Sequence, residues 1–214
     1  RGLLPLGRYR ALNMPISITT SRGCPFKCIF CVGRKMVGAR VRYREPVNVV
    51  DEMVELSRLG FHQVNIADDL FTASKKHCMA VCDEIIRRQL NVQWTSFARV
   101  DTVSKDLLTH MRAAGCQAVS FGVESANAQI LKRIKKGITL EQVINAVNLC
   151  NETGVTPHAS FILGLPSLNC LFATYSLQGL GRPINFYVRR CIMPTRLDLL
   201  RLEMGDKADR PEHD

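Results

Sequence analysis

At 214 residues the chain is long enough to bury one sizeable hydrophobic core, and with 46% apolar and 22% charged residues it falls among ordinary globular proteins rather than disordered or fibrous ones. No apolar run approaches the ~20 residues of a membrane helix, and the opening Arg1-Gly2-Leu3-Leu4-Pro5 lacks the apolar stretch of a secretory signal. The formal charge of +10 is concentrated: residues 1–44 hold ten Lys or Arg and no acid, and beyond them the two signs balance.

In chain order, residues 1–14 read as a connector, and a start on Arg1 rather than Met suggests that an upstream part is missing. A short β-like run, Ile16 to Thr20, leads into a loop with Cys24, Cys28 and Cys31 spaced C-x3-C-x2-C. A basic connector, Gly33 to Arg44, has no clear period. Glu45-Pro46 starts a helix, with proline tolerated in the first turn, and Gly60 stops it. Gln63 to Ala67 reads as a strand ending in Asp68-Asp69. A helix from about Ser74 to Arg88 precedes a strand, Val92 to Ala98. Ser104 caps a helix that Gly115 ends, and Ala118 to Val123 is the next strand. Thr139-x-x-Gln142 is a capping box for a helix through Cys150, Gly154 ends it, and His158 to Leu163 is a further strand.

A cassette of helix, glycine stop and apolar run therefore recurs at Leu59-Gly60, Ala114-Gly115 and Thr153-Gly154. Strands alternating with helices of this length imply parallel pairing through right-handed crossovers. Five strands are visible between Ile16 and Leu163, and periodicity alone leaves a doubly wound sheet and a barrel both open. From about Ser167 the cassette fails, and Glu203 to Asp214 is charged and reads as frayed. The expected division is a connector (1–14), a core (15–166) and an atypical tail (167–214).

Nine cysteines in a secreted protein would suggest disulfides, whereas a clustered trio argues for a reducing, cytoplasmic setting. Three soft thiolates within eight residues suit zinc or an iron–sulfur cluster. A structural zinc takes four protein ligands, and His62 and Cys78 are the nearest candidates for the fourth, brought close only by the fold. A cubane held by three cysteines leaves one iron open to a small molecule. Cys78, Cys82 and Ile85 share a helical face and read as core. The basic arm straddles the cysteine loop and reads either as electrostatic support for an anionic site or as plain surface, with nucleic acid behind both. His77, His110 and His158 have no metal spacing, Lys132-Arg133-x-Lys135-Lys136 reads as a solvated helix end, and no P-loop is present.

The stretch Thr20-Ser21-Arg22-Gly23-Cys24-Pro25-Phe26-Lys27-Cys28-Ile29-Phe30-Cys31, with an aromatic before the last cysteine, resembles the signature of the radical SAM superfamily. Its wider wording is similar to the branch that often carries a cobalamin-binding domain upstream. The resemblance implies a partial (β/α)6 TIM-like barrel, incomplete at the C-terminal end, with the cluster loop after the first strand. It implies a [4Fe–4S] cluster on Cys24, Cys28 and Cys31 and S-adenosylmethionine (SAM) on the open iron. It also implies an electron donor such as flavodoxin or ferredoxin and a small-molecule or lipid-like substrate.

Ligands of parallel α/β proteins gather at the carboxyl ends of the strands. Matched there to the family's motifs, Asp68 and Asp69 stand where the SAM amino group is held, although the family more often has two glycines and a glutamate. Glu124-Ser125 stands at the ribose position, the alternative being a loop cap near Asn127. Arg99 would fork onto the SAM carboxylate, the alternative being a surface pair with Asp101. Ser160-x-Ile162-x-Gly164 resembles the adenine-cradling Gly-x-Ile-x-Gly, with serine for the first glycine and Ser167 for the distal acid. Phe30 would lie against adenine.

The branch implies methyl transfer to an unactivated carbon, with cobalamin bound upstream; no cobalamin-binding Asp-x-His-x-x-Gly is present, so that cofactor is implied by relatives alone. The alternatives are tRNA or protein methylthiolation, a zinc-stabilised nucleic-acid-binding module without catalysis, and an inactive fragment.

Overall fold

The structure, a computed structural model, describes residues 6–12, 14–163 and 185–190. A short helix α1 (Leu6–Ala11) precedes β1 (Ile16–Ile18), and the cysteine loop runs from β2 (Ser21–Arg22) through α2 (Gly33–Val37) to β3 (Arg42–Tyr43), which pairs antiparallel with β2. The connector without a period thus holds one turn of helix and a two-residue strand, both too short to show periodicity. Regular alternation follows: α3 (Pro46–Arg58), β4 (Gln63–Ile66), a 3-10 turn (Phe71–Ala73), α4 (Lys75–Arg87), β5 (Gln93–Ala98), α5 (Lys105–Ala113), β6 (Cys116–Glu124), α6 (Ala128–Arg133), α7 (Leu140–Thr153) and β7 (Thr156–Leu163).

Local chemistry sets these boundaries. Pro46 opens α3, where its missing N–H has no helical partner to lose. The Thr139–Gln142 capping box is formed from both sides, and Gly154 closes α7 in the left-handed region with φ of 72°. Ser104 stands at the head of α5 but its hydroxyl donates to Asp106 instead of capping a backbone N–H.

The main sheet has the order β1-β4-β5-β6-β7-β8, every neighbour parallel. Strand order follows chain order without reversal. Right-handed crossovers then place the connecting helices α3, α4, α5 and α7 on the same face, where they pack in succession. A doubly wound sheet needs a reversal, so this sheet is the wall of a partial barrel. The five strands read between Ile16 and Leu163 are β1, β4, β5, β6 and β7, and the sheet gains a sixth, β8 (Asn185–Arg190), from the stretch where no cassette was legible. It pairs along six residues of β7, so the sheet continues past Pro166. Gly164, Ser167 and most of the tail lie outside the described residues.

The helix-facing side of the sheet carries Ile16, Ile18, Val64, Ile66 and Trp94, all buried. Trp94 donates from Nε1 to the Ala114 carbonyl at 2.8 Å and meets Phe71 edge-on. Cys78, Cys82, Cys116 and Cys150 are buried here as small apolar groups; burial pushes the Cys150 thiol up to about 12.

Candidate functional site

The cysteine loop follows β1; Asp68 and Asp69 past β4 and Arg99 past β5 contact it directly, and Glu124 at the end of β6 reaches it through Lys136. The loop starts at Thr20 and Ser21, both buried. Asp68, buried just past β4, accepts from the Thr20 N–H at 2.6 Å, the Thr20 hydroxyl at 2.6 Å and the Ser21 hydroxyl at 2.7 Å. The ring of His77, from α4, lies 3.3 Å from the same threonine hydroxyl; burial lowers its pKa against the opposing pull of Asp68. Asp69 is exposed, and its Oδ2 accepts from the Gly23 N–H at 3.1 Å. The adjacent aspartates therefore grip the rising limb of the loop at two heights, and both oxygens of Asp68 are occupied by protein donors.

Gly23 is required there. Its φ is +120°, and a Cβ would overlap the Arg40 carbonyl. The Cys24 N–H donates to the Gly38 carbonyl at 3.1 Å and the Ile29 N–H to the Ile134 carbonyl at 3.1 Å, tying the loop down on both flanks. Cys24 and Cys28 are half-buried and Cys31 is exposed. The Gly33 N–H donates to Cys31 Sγ at 3.3 Å.

Arg99, at the end of β5, is buried beneath this loop. Its Nε and Nη2 donate to the two carboxylate oxygens of Asp101 at 2.9 and 2.8 Å, and Nη2 also donates to the Lys136 carbonyl at 2.8 Å. The guanidinium lies 3.6 Å over the Phe26 ring, and Nη1 is directed at Cys28 Sγ, 3.9 Å away. The pair with Asp101 forms, between a buried guanidinium and an aspartate that is exposed as a residue. Burial pushes the Cys28 thiol up, and the Lys136 ammonium and then the Arg99 guanidinium draw it back. These two cations, from outside the basic arm, are the ones that act on Cys28.

At the end of β6 a register irregularity between Gly122 and Glu124 turns the chain, and Glu124 adopts a left-handed φ of 68°. Such backbone costs on the order of 1 kcal/mol and tends to mark functional sites. Glu124 is buried and its Oε1 accepts from Lys136 Nζ at 3.0 Å, itself 5.7 Å from the centre of the Phe30 ring. Ser125 is buried and accepts from the Asn127 N–H at 3.1 Å, so it serves as the loop cap. Phe30 packs against the core, and Ile162 is buried near the end of β7.

Lys136 was missed at the level of sequence. Within its basic run Lys132, Arg133 and Lys135 are exposed, but Lys136 is buried against Glu124. The one clue was the adjoining Gly137, since Lys135 and Gly137 both adopt positive φ and fold Lys136 inward.

A three-thiol donor set at this edge fits a [4Fe–4S] cluster, which needs three protein ligands. The candidate fourth ligands for zinc are elsewhere: Cys78 is sealed in the core, and His62 sits at the opposite end of β4 beside Ser57.

The sequence profile of the Radical SAM superfamily matches residues 18–169. The chain is 37% identical over 166 residues to an uncharacterized methyltransferase of Pyrococcus horikoshii, covering 77% of this chain and 36% of that protein. It is 36% identical over 211 residues to the anaerobic magnesium-protoporphyrin IX monomethyl ester cyclase of Rubrivivax gelatinosus, covering 94% of this chain and 37% of that one. The chain thus spans little more than a third of these relatives.

In fold it is similar to the radical S-adenosylmethionine methyltransferase TsrM of Kitasatospora setae, with a TM-score of 0.76 and 25% identity over 85% of this chain and 36% of that one. The cobalamin-dependent S-adenosylmethionine radical enzyme OxsB shares the fold at a TM-score of 0.70, with 22% identity over 80% of this chain and 27% of that one. With a profile match that takes in the cysteine loop and the whole of β4, β5, β6 and β7, the chain belongs to the radical SAM superfamily of enzymes.

Proposed function

We propose that this chain is the core of a radical SAM methyltransferase, holding a [4Fe–4S] cluster on Cys24, Cys28 and Cys31. The observation that carries the reading is the thiol loop itself, fixed at the carboxyl edge of a parallel sheet by Asp68, Asp69 and the Ile134 carbonyl. When bound and reduced, the cluster supplies one electron that cleaves a carbon–sulfur bond of SAM and releases a 5′-deoxyadenosyl radical. The protein's part is to hold the reactants still and dry. Asp69, exposed beside the loop, takes the SAM amino group; Asp68 anchors the loop instead. Glu124, turned inward by the irregularity in β6, accepts from the ribose hydroxyls. The Ile162 backbone and Phe30 bracket the adenine.

Methyl transfer, assisted by cobalamin held on a further domain, follows the methyltransferase relatives. An electron donor such as flavodoxin or ferredoxin would supply that electron.

Incubation of the anaerobically reconstituted protein with SAM and dithionite tests this reading. 5′-Deoxyadenosine is expected from the wild type and not from the Cys24→Ala/Cys28→Ala/Cys31→Ala variant. Equal traces from both would contradict radical generation. With that further domain present and hydroxocobalamin added, S-adenosylhomocysteine is expected as well; 5′-deoxyadenosine alone would then contradict methyl transfer and leave radical generation standing.

A further inference from the structure

Arg99 is the residue whose surroundings the SAM-binding account leaves unexplained. A guanidinium that forks onto a ligand carboxylate presents two parallel N–H donors to it. Here the Nε and Nη2 edge is already taken by Asp101, and Nη2 is shared with the Lys136 carbonyl. One face is covered by Phe26 at 3.6 Å. The remaining Nη1 is directed at Cys28 Sγ. The side chain is buried and held from three directions, so its charge stays in one place beside one thiolate.

We infer that Arg99 is a positioning residue for the cluster rather than a SAM ligand: held by Asp101 and Phe26, it fixes a positive charge against the Cys28 sulfur and raises the cluster's reduction potential. This rests on the cluster reading above. Reduction adds one negative charge to a cluster already carrying thiolates. Net charge, hydrogen bonds to the sulfurs and solvent exposure set the potential of such a centre. A cation fixed 3.9 Å from one sulfur and shielded from water therefore favours the reduced state. Asp101 opposes this in part, but it lies on the far edge of the guanidinium, so the positive end faces the sulfur. Phe26 belongs to the cysteine loop itself, so the stacking contact also ties the loop to β5.

The test is the midpoint potential of the reconstituted protein without SAM, measured beside SAM affinity. Arg99→Gln is expected to lower the potential by about 59 mV, the one-electron equivalent of a tenfold smaller reduced-to-oxidised ratio. Arg99→Lys, which keeps charge but not the fork, is expected to fall between, and Asp101→Asn to move the potential upward. SAM affinity should stay within about twofold in Arg99→Gln. An unmoved potential in Arg99→Gln would overturn the inference, and an unmoved potential with tenfold weaker SAM binding would restore the carboxylate fork. Should Arg99→Gln not fold, the sign of the Asp101→Asn shift decides, a downward or absent shift overturning the inference. A wild type that takes up no iron contradicts the cluster reading itself; a loaded wild type with unmoved variants contradicts this inference alone.

Discussion

Removing the Asp68 carboxylate leaves three donors at the start of the cysteine loop without their acceptor at once, namely the Thr20 N–H and the hydroxyls of Thr20 and Ser21. Hydrogen bonds to a buried charge are worth more than neutral ones, and donors left unsatisfied carry a desolvation cost. Asp68→Ala is therefore expected to lower the unfolding free energy of the cluster-free protein by about 3 kcal/mol, and Asp69→Ala, at an exposed site, by less than about 1 kcal/mol. Urea denaturation of both variants measures the difference, and equal effects would contradict the division of labour between the two aspartates. Sequence made the acidic pair visible as strand-end residues, but not which of them faces inward. That depends on the loop coming back over β4, a contact spanning 48 residues. Arg99 and Lys136 are legible in the same limited way: residue type and position relative to a strand or helix could be read, partners could not.

At the scale of elements, the end of β6 combines a register irregularity with a left-handed Glu124. Gly122 lies under the Glu124–Lys136 pair, and a Cβ there would overlap Glu124 Oε1 and come within 2.8 Å of Lys136 Nζ. Gly122→Ala is expected to push the ion pair aside and destabilise the protein by about 2 kcal/mol, in the range of other overpacking changes. Thermal unfolding beside wild type checks this, and an unchanged midpoint would show that the pair moves without cost. Helices with glycine stops and caps, such as α3 and α7, were readable from sequence because their signals are local. The short α2 was not, being five residues long with too few turns for a period, and the six-residue α6 was legible only as a helix end at Lys132-Arg133. β8 was missed for a related reason: Asn185-Phe-Tyr-Val-Arg-Arg190 carries only three apolar residues in a row, and its place is fixed by pairing with β7 rather than by alternation.

For the whole molecule, strand order decides the architecture. A monotonic parallel order with helices on one face forms the wall of a partial barrel and brings successive strand ends to one rim, where the cysteine loop, Asp69, Arg99 and Glu124 meet. Parallel α/β was legible in the helix–glycine–strand cassettes; barrel curvature was not, because periodicity is the same in a doubly wound sheet. Among the described residues no helix is long and apolar enough to cross a membrane. The central claim is that this rim holds a cluster with one iron open to SAM. The most direct test is iron content and electron paramagnetic resonance of the anaerobically reconstituted, dithionite-reduced protein, with and without SAM. The account predicts about four irons per chain, a spectrum that changes when SAM is added, and loss of both in the Cys24→Ala/Cys28→Ala/Cys31→Ala variant. A colourless protein holding one zinc, or a four-iron cluster whose spectrum ignores SAM, would contradict it.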